Sequence, residues 1–266
     1  MTEPGQRTMP EILDALEESC QSLAGVLAKL TPEEWHLPTG CPGWDVQDVA
    51  SHIIGLEDRF SGLPEPEHTL PEGLAHVRNA DGIETEVSVD YRRGVPSEEI
   101  LHQFRESTTR ALQLRRSSGR DPEAITDGPF GWKMPYWRLM SIRTFDCFAH
   151  EQDIRRAVGR PGNLDGKAAR LTEDLIRSLL PGLLGSRLAE FSDQPIAIDV
   201  NARPIIAIAA SATASDDTPS ATTINMPFSE LVAFVCGRAD AQVDAVTIEG
   251  DETLANKVLR AMAFTP

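Results

Sequence analysis

The sequence predicts an α plus α+β protein, a four-helix bundle over residues 1–160 followed by a smaller α+β module over residues 161–266. Three observations carry this. Apolar residues recur every three or four positions in four segments of the first 160 residues, the spacing of helices that share a core. The connections between those segments are long and rich in Gly, Pro and acidic residues. Beyond Gly162 the texture changes, and short β-rich runs alternate with helical ones. With 41% hydrophobic and 25% charged residues, 266 residues are enough for two ordinary domains, each with its own core.

The first helix is expected over residues 11–30, with Ile12, Leu13, Leu16, Leu23, Val26, Leu27 and Leu30 on one stripe. Thr31-Pro32-Glu33-Glu34-Trp35 opens a short turn. Cys41-Pro42-Gly43-Trp44-Asp45 makes a second turn, whose Asp45 caps the next helix while Asp48 lies near its positive end. That helix runs to Phe60 with Val46, Val49, Ile53, Leu56 and Phe60 inward. Residues 61–73 read as a loop, and the weakly patterned stretch to Arg93 has room for a short helix or an extended piece. Ser97 starts the third bundle helix, with Ile100, Phe104, Thr108 and Leu112 inward and Leu114 a further candidate; Gly119 ends it. A loop rich in Gly, Pro and Asp leads to Met134 and the fourth helix, where Trp137, Leu139, Ile142, Phe145, Ala149, Ile154 and Ala157 are apolar and Gly159 and Pro161 are stops. The second module reads as a helix over 167–180, strands over 195–200 and 204–210 and a polar hairpin loop over 211–222. A helix over 229–236, a strand over 245–249 and a helix over 252–262 complete it.

Charge narrows the classes of function. Twenty-five basic against 41 acidic residues give a formal net charge of -16, a surface that repels phosphate backbones and anionic membranes, so neither nucleic acid nor membrane is an expected partner. The four cysteines form neither a CxxC pair nor a disulfide framework, which fits a reducing compartment. Acidic residues interrupt the N-terminal region where a signal peptide needs an apolar run, and the expected location is cytoplasmic.

Asp146 and His150 stand four apart on the fourth helix, on one face. Leu139, Ile142, Asp146, Ala149 and Asp153 follow one seam, which puts carboxylates where apolar residues belong, and a buried carboxylate needs a cation or donors. His52, at the inward edge of the second helix, is a candidate third ligand. Two imidazoles and a carboxylate suit zinc with a position left open for substrate, and the same set serves iron, nickel or manganese. Taken alone, each part has a plainer reading: an Asp–His pair at this spacing is commonly a surface ion pair, and a lone inward His is commonly structural. The run from Glu151 to Arg156 reads as a solvated helix end, although Asp153 could orient His150. Cys41 reads as a small buried residue in a turn, and Cys20, Cys147 and Cys236 as core.

Two stretches resemble a known family. Leu30-Thr31-Pro32-Glu33-Glu34-Trp35 with Pro38-Thr39-Gly40-Cys41-Pro42-Gly43-Trp44-Asp45-Val46-Gln47-Asp48-Val49-Ala50-Ser51-His52-Ile53 is similar to the opening of the mycothiol-dependent maleylpyruvate isomerase family, a branch of the DinB-like superfamily. Residues 143–157, Arg-Thr-Phe-Asp-Cys-Phe-Ala-His-Glu-Gln-Asp-Ile-Arg-Arg-Ala, resemble its last bundle helix. The resemblance implies a DinB-like bundle that binds Zn2+ through His52, Asp146 and His150, with mycothiol as thiol cosubstrate. The isomerase itself has Glu where this chain has the shorter Asp146. The C-terminal part is similar to the sterol-carrier-like module of this family. There Gly237-Arg238 resembles a step whose arginine helps bind an anionic substrate, which makes Arg238 the candidate catalytic residue.

A bound dication lowers the pKa of a thiol and fixes its sulfur. The expected function is therefore metal-dependent, mycothiol-dependent S-transfer to an electrophilic small molecule, because the bundle motif recurs with differing chemistry and Asp146 departs from the isomerase. The alternatives are cis-trans isomerisation of maleylpyruvate or a related unsaturated diacid, and non-enzymatic binding of a small molecule or lipid.

Overall fold

A computed structural model describes residues 7–187, 196–208 and 222–264. The chain divides into two compact units, 1–172 and 173–266, with the division inside one helix.

The first unit is built on α1 (Met9–Leu27), α2 (Val46–Phe60), α4 (Ser97–Ser117) and α5 (Tyr136–Ala157), with the shorter α3 (Ala80–Asp90) against α2. Helix α1 packs on α4 and α5, and α2 on α4 and α5, so the four long helices form a bundle. Thr8 and Glu11 close a capping box at the start of α1, which therefore begins before Glu11 and ends three residues short of Leu30. One apolar cluster joins Leu16, Leu23 and Leu27 to Val49, Ile53, Phe104 and Ile154; another joins Ile12 and Leu13 to Leu139, Met140 and Leu171. The weak pattern before Arg93 resolves as α3. The loop ahead of α5 holds a two-stranded antiparallel hairpin, β1 (Ile125–Asp127) and β2 (Lys133–Pro135), whose three-residue strands are too short to show a period.

Three inward assignments need correction. Phe60 is 42% exposed and Leu56 only half-buried, while Glu57, four residues on from Ile53, is buried in their place. Leu114 is 47% exposed. The run from Glu151 is not solvated: Glu151, Gln152 and Asp153 are buried, and Glu151 accepts from Ser22, Asn163 and Arg155. Helix α5 is thus buried nearly all round, and its polar residues have protein partners in place of water.

The second unit comprises most of α6 (Lys167–Arg187), then β3 (Ile196–Val200), β4 (Arg203–Ile208), β5 (Thr222–Met226), α7 (Phe228–Val235), β6 (Thr247–Glu249) and α8 (Glu252–Ala261). Its sheet has the order β4-β3-β5-β6, with β3 and β5 parallel and the other pairs antiparallel. Strands β3 and β4 join through Asn201 and Ala202, both at positive φ, the signature of a two-residue hairpin turn. The hairpin loop expected over 211–222 lies outside the described residues except for Thr222. No helix among the described residues is long and apolar enough to cross a membrane.

Candidate metal centre

The site begins with the turn ahead of α2. The Cys41 carbonyl accepts from the Trp44 N–H at 3.1 Å, with Pro42 and Gly43 at the corners and Gly43 at φ +80°. Proline then a left-handed residue is the type II pattern. A Cβ at Gly43 would sit 2.5 Å from His76 Nδ1, so glycine is required twice over. Beyond the turn, Asp45 caps α2 in a reciprocal box with Asp48. Cys41, Trp44 and the first turn of α2 are thereby locked together.

Helix α2 carries His52 and α5 carries Asp146 and His150, and their donor atoms lie within 4.8 Å of one another. His52 Nε2 is 3.7 Å from Asp146 Oδ2, and His150 Nε2 is 3.6 Å from Asp146 Oδ1. Both distances are long for a hydrogen bond. They fit donors that share one ion at about 2.1 Å from each. The imidazole rings meet edge to face at 4.8 Å between centroids, and the Trp44 ring stands 5.0 Å from His52 as a wall.

Protonation favours the same use. Burial pushes the His52 imidazole down to about 4, against the weaker pull of Asp146, so the ring is neutral at physiological pH with a lone pair available. Burial works to raise the Asp146 carboxyl, but the Arg143 guanidinium, and then His150 and His52, hold it well below the usual carboxylate range. Two imidazoles facing an ionised carboxylate are a fitting donor set for a divalent cation.

Arg143, one turn before Asp146, donates to Asp146 Oδ2 at 2.6 Å and to Glu57 Oε1 at 2.8 Å; Glu57 also pairs with Arg115. Arg143, Glu57 and Arg115 are each at most 9% exposed. Burial acts to raise the Glu57 carboxyl, yet Arg143 and Arg115 bring it below its ordinary value. This network fixes the Asp146 carboxylate from behind. The sequence reading missed it, although Glu57 at the inward position after Ile53 was a visible signal.

On the far side of His150, Nδ1 lies 2.9 Å from Asp153 Oδ2. The Cys41 thiol donates to that same oxygen at 3.2 Å and lies 4.0 Å from His150 Nδ1. Cys41, His150 and Asp153, all buried, form a second group with cation-binding spacing that shares His150 with the first. The expected orientation of His150 by Asp153 is present as a contact. Cys20, Cys147 and Cys236 are buried and form no disulfide among the described residues.

Arg238 belongs to the second unit. Gly237, at φ +61°, ends α7, its N–H donates to the Phe234 carbonyl, and the Arg238 N–H donates to the Ala233 carbonyl. That pair of bonds is a Schellman motif. The Arg238 Nη1 donates to the Cys236 carbonyl at 2.9 Å. The Gly-Arg step therefore has a local role in closing a helix.

Residues 16–155, more than half of the chain, match a family model described as the mycothiol maleylpyruvate isomerase N-terminal domain. Two solved structures share the fold: the mycothiol-dependent maleylpyruvate isomerase, 12% identical with a TM-score of 0.64, and its H52A mutant, 11% identical with the same score. Each alignment covers 95% of this chain and 98% of the other. No curated protein sequence matches.

Proposed function

The chain belongs to the mycothiol maleylpyruvate isomerase N-terminal domain family, and on that premise we propose that it is a mycothiol-dependent enzyme whose thiol is activated by a divalent cation on His52, Asp146 and His150. The observation that carries this reading is the convergence of His52 Nε2, His150 Nε2 and the Asp146 carboxylate beside the Trp44 ring. A dication held there would lower the pKa of a bound thiol and present its sulfur as a nucleophile. Zinc is the ion we assign, by family resemblance and donor type. His52 supplies a neutral ligand, Asp146 supplies negative charge, Arg143 and Glu57 keep that carboxylate in place, and Asp153 meets His150 at Nδ1.

Two reactions begin from an activated thiol. The sequence alone favours S-transfer to an electrophile; the family match and the two structural neighbours support cis-trans isomerisation of maleylpyruvate, or a related unsaturated diacid, at least as well. Isomerisation is therefore the reaction we infer ahead of S-transfer. We also keep Arg238 as the proposed group for an anionic substrate.

Incubation with maleylpyruvate, mycothiol and zinc separates the reactions. Conversion of the diacid with the thiol recovered unchanged supports isomerisation, whereas a stable conjugate in the mass spectrum supports S-transfer. The absence of any thiol-dependent turnover, with maleylpyruvate and with a panel of electrophiles, would favour the non-enzymatic alternative.

A further inference from the structure

His52 and His150 are held differently on their far sides. His52 Nδ1 is buried and has no hydrogen-bond partner among the described residues, whereas His150 Nδ1 meets Asp153. Asp153 Oδ2 serves two neighbours at once, and the second is a thiol 112 residues away in sequence, carried by the rigid turn at Gly43. We propose that Cys41 is a positioning residue: its S–H anchors the Asp153 carboxylate, which fixes the ring of His150 so that Nε2 faces the point shared with His52 and Asp146. This rests on the triad reading above and extends it to a residue outside the ligand set.

Asp153 and His150 lie on the same helix three residues apart, and a contact within one helix leaves the pair able to move together. A donor from another element removes this freedom. Cys41 is that donor, since its own backbone is fixed twice: its N–H donates to Thr39 Oγ1 at 3.2 Å, and its carbonyl accepts from Trp44. With both neighbours donating to Asp153, the Nδ1 of His150 carries the proton and the lone pair is on Nε2. Groups that orient a ligand in this way typically change metal affinity about 10–100-fold when lost. The rival reading of the same three atoms is direct ligation, with Cys41 and His150 Nδ1 holding a cation of their own. That would leave Nδ1 without a proton to give Asp153 and make Cys41 a ligand in place of an anchor.

The test is a titration of metal-free wild type, Cys41→Ala and Cys41→Ser with Co2+, read by visible absorption, alongside 15N spectra of the histidine rings before metal is added. Wild type and Cys41→Ser should bind alike and show His150 protonated at Nδ1. Cys41→Ala should bind about tenfold more weakly and show His150 in exchange between tautomers. If Cys41→Ala does not fold, Cys41→Val fills the space without a donor and replaces it. Equal affinity in all variants with unchanged ring spectra would overturn the proposal, as would Cys41→Ser failing like Cys41→Ala. A thiolate-to-cobalt charge-transfer band in wild type would overturn it in favour of direct ligation. Should wild type bind no Co2+, the triad reading fails, and the ring spectra still decide whether Cys41 orients His150.

Discussion

His52 is buried against Trp44 and His150, and its burial has a pH signature in the metal-free protein. Its imidazole falls to about 4 in the folded state, so the unfolded chain binds a proton there that the folded chain refuses. Between pH 6.5 and about 4, stability therefore falls as acid is added, and the contribution is complete above 6.5. The effect is up to roughly 3 kcal/mol. Asp146 acts in the same direction in a lower window: its lowered carboxyl keeps its contribution throughout that range and loses it as pH falls below the ordinary carboxylate value. Urea unfolding of metal-free wild type and His52→Gln at pH 7 and pH 5 should show the larger acid loss in wild type; equal losses would mean that His52 is not held neutral. The three proposed ligands were picked out in the sequence by the family resemblance, which raised an Asp–His pair and an inward-edge His above their plainer readings as a surface ion pair and a structural residue. Arg143, Glu57 and Arg115 were not, because a charged residue read alone is assigned to the surface, and their mutual neutralisation appears only once α2, α4 and α5 are packed.

At the scale of elements, the turn at residues 41–44 sets the geometry of the site. It brings Trp44 against His52 and Cys41 against Asp153, and Gly43 makes both possible. Gly43→Ala must place a side chain at positive φ, which costs about 1–2 kcal/mol, and press on His76. Chemical denaturation should show at least that loss, together with weaker metal binding; a variant as stable as wild type would mean that the turn relaxes freely. Helix α5 is the other decisive element. Its buried Glu151 pairs with Arg155 and accepts from Ser22 and Asn163, so Glu151→Ala leaves a half-buried guanidinium without its carboxylate and should cost about 3 kcal/mol. A loss within experimental error would restore the solvated reading. Helices with long regular stripes, such as α1 and α4, were readable from spacing alone. The polar residues of α5 defeated that rule, as did the weak pattern of α3 and the three-residue strands of the β1–β2 hairpin.

For the whole molecule, every proposed ligand and every residue that orients one lies in the first unit, residues 1–172. Only Arg238 assigns chemistry to the second. Replacing Arg238 with Ala should raise the KM for an anionic substrate about tenfold while metal affinity stays as in wild type; unchanged kinetics would leave the residue with its role at the end of α7 alone. A cation that binds only the folded chain also stabilises the entire first unit by mass action, about 2.7 kcal/mol at a hundredfold excess over Kd. The most direct test of the central claim is elemental analysis of the purified, folded protein beside His52→Ala, Asp146→Ala and His150→Ala variants of matched circular dichroism. The three side chains are expected to hold about one divalent ion per chain, and each variant to lose it. A wild type without stoichiometric metal after exposure to zinc, or folded variants that all keep it, would contradict the claim.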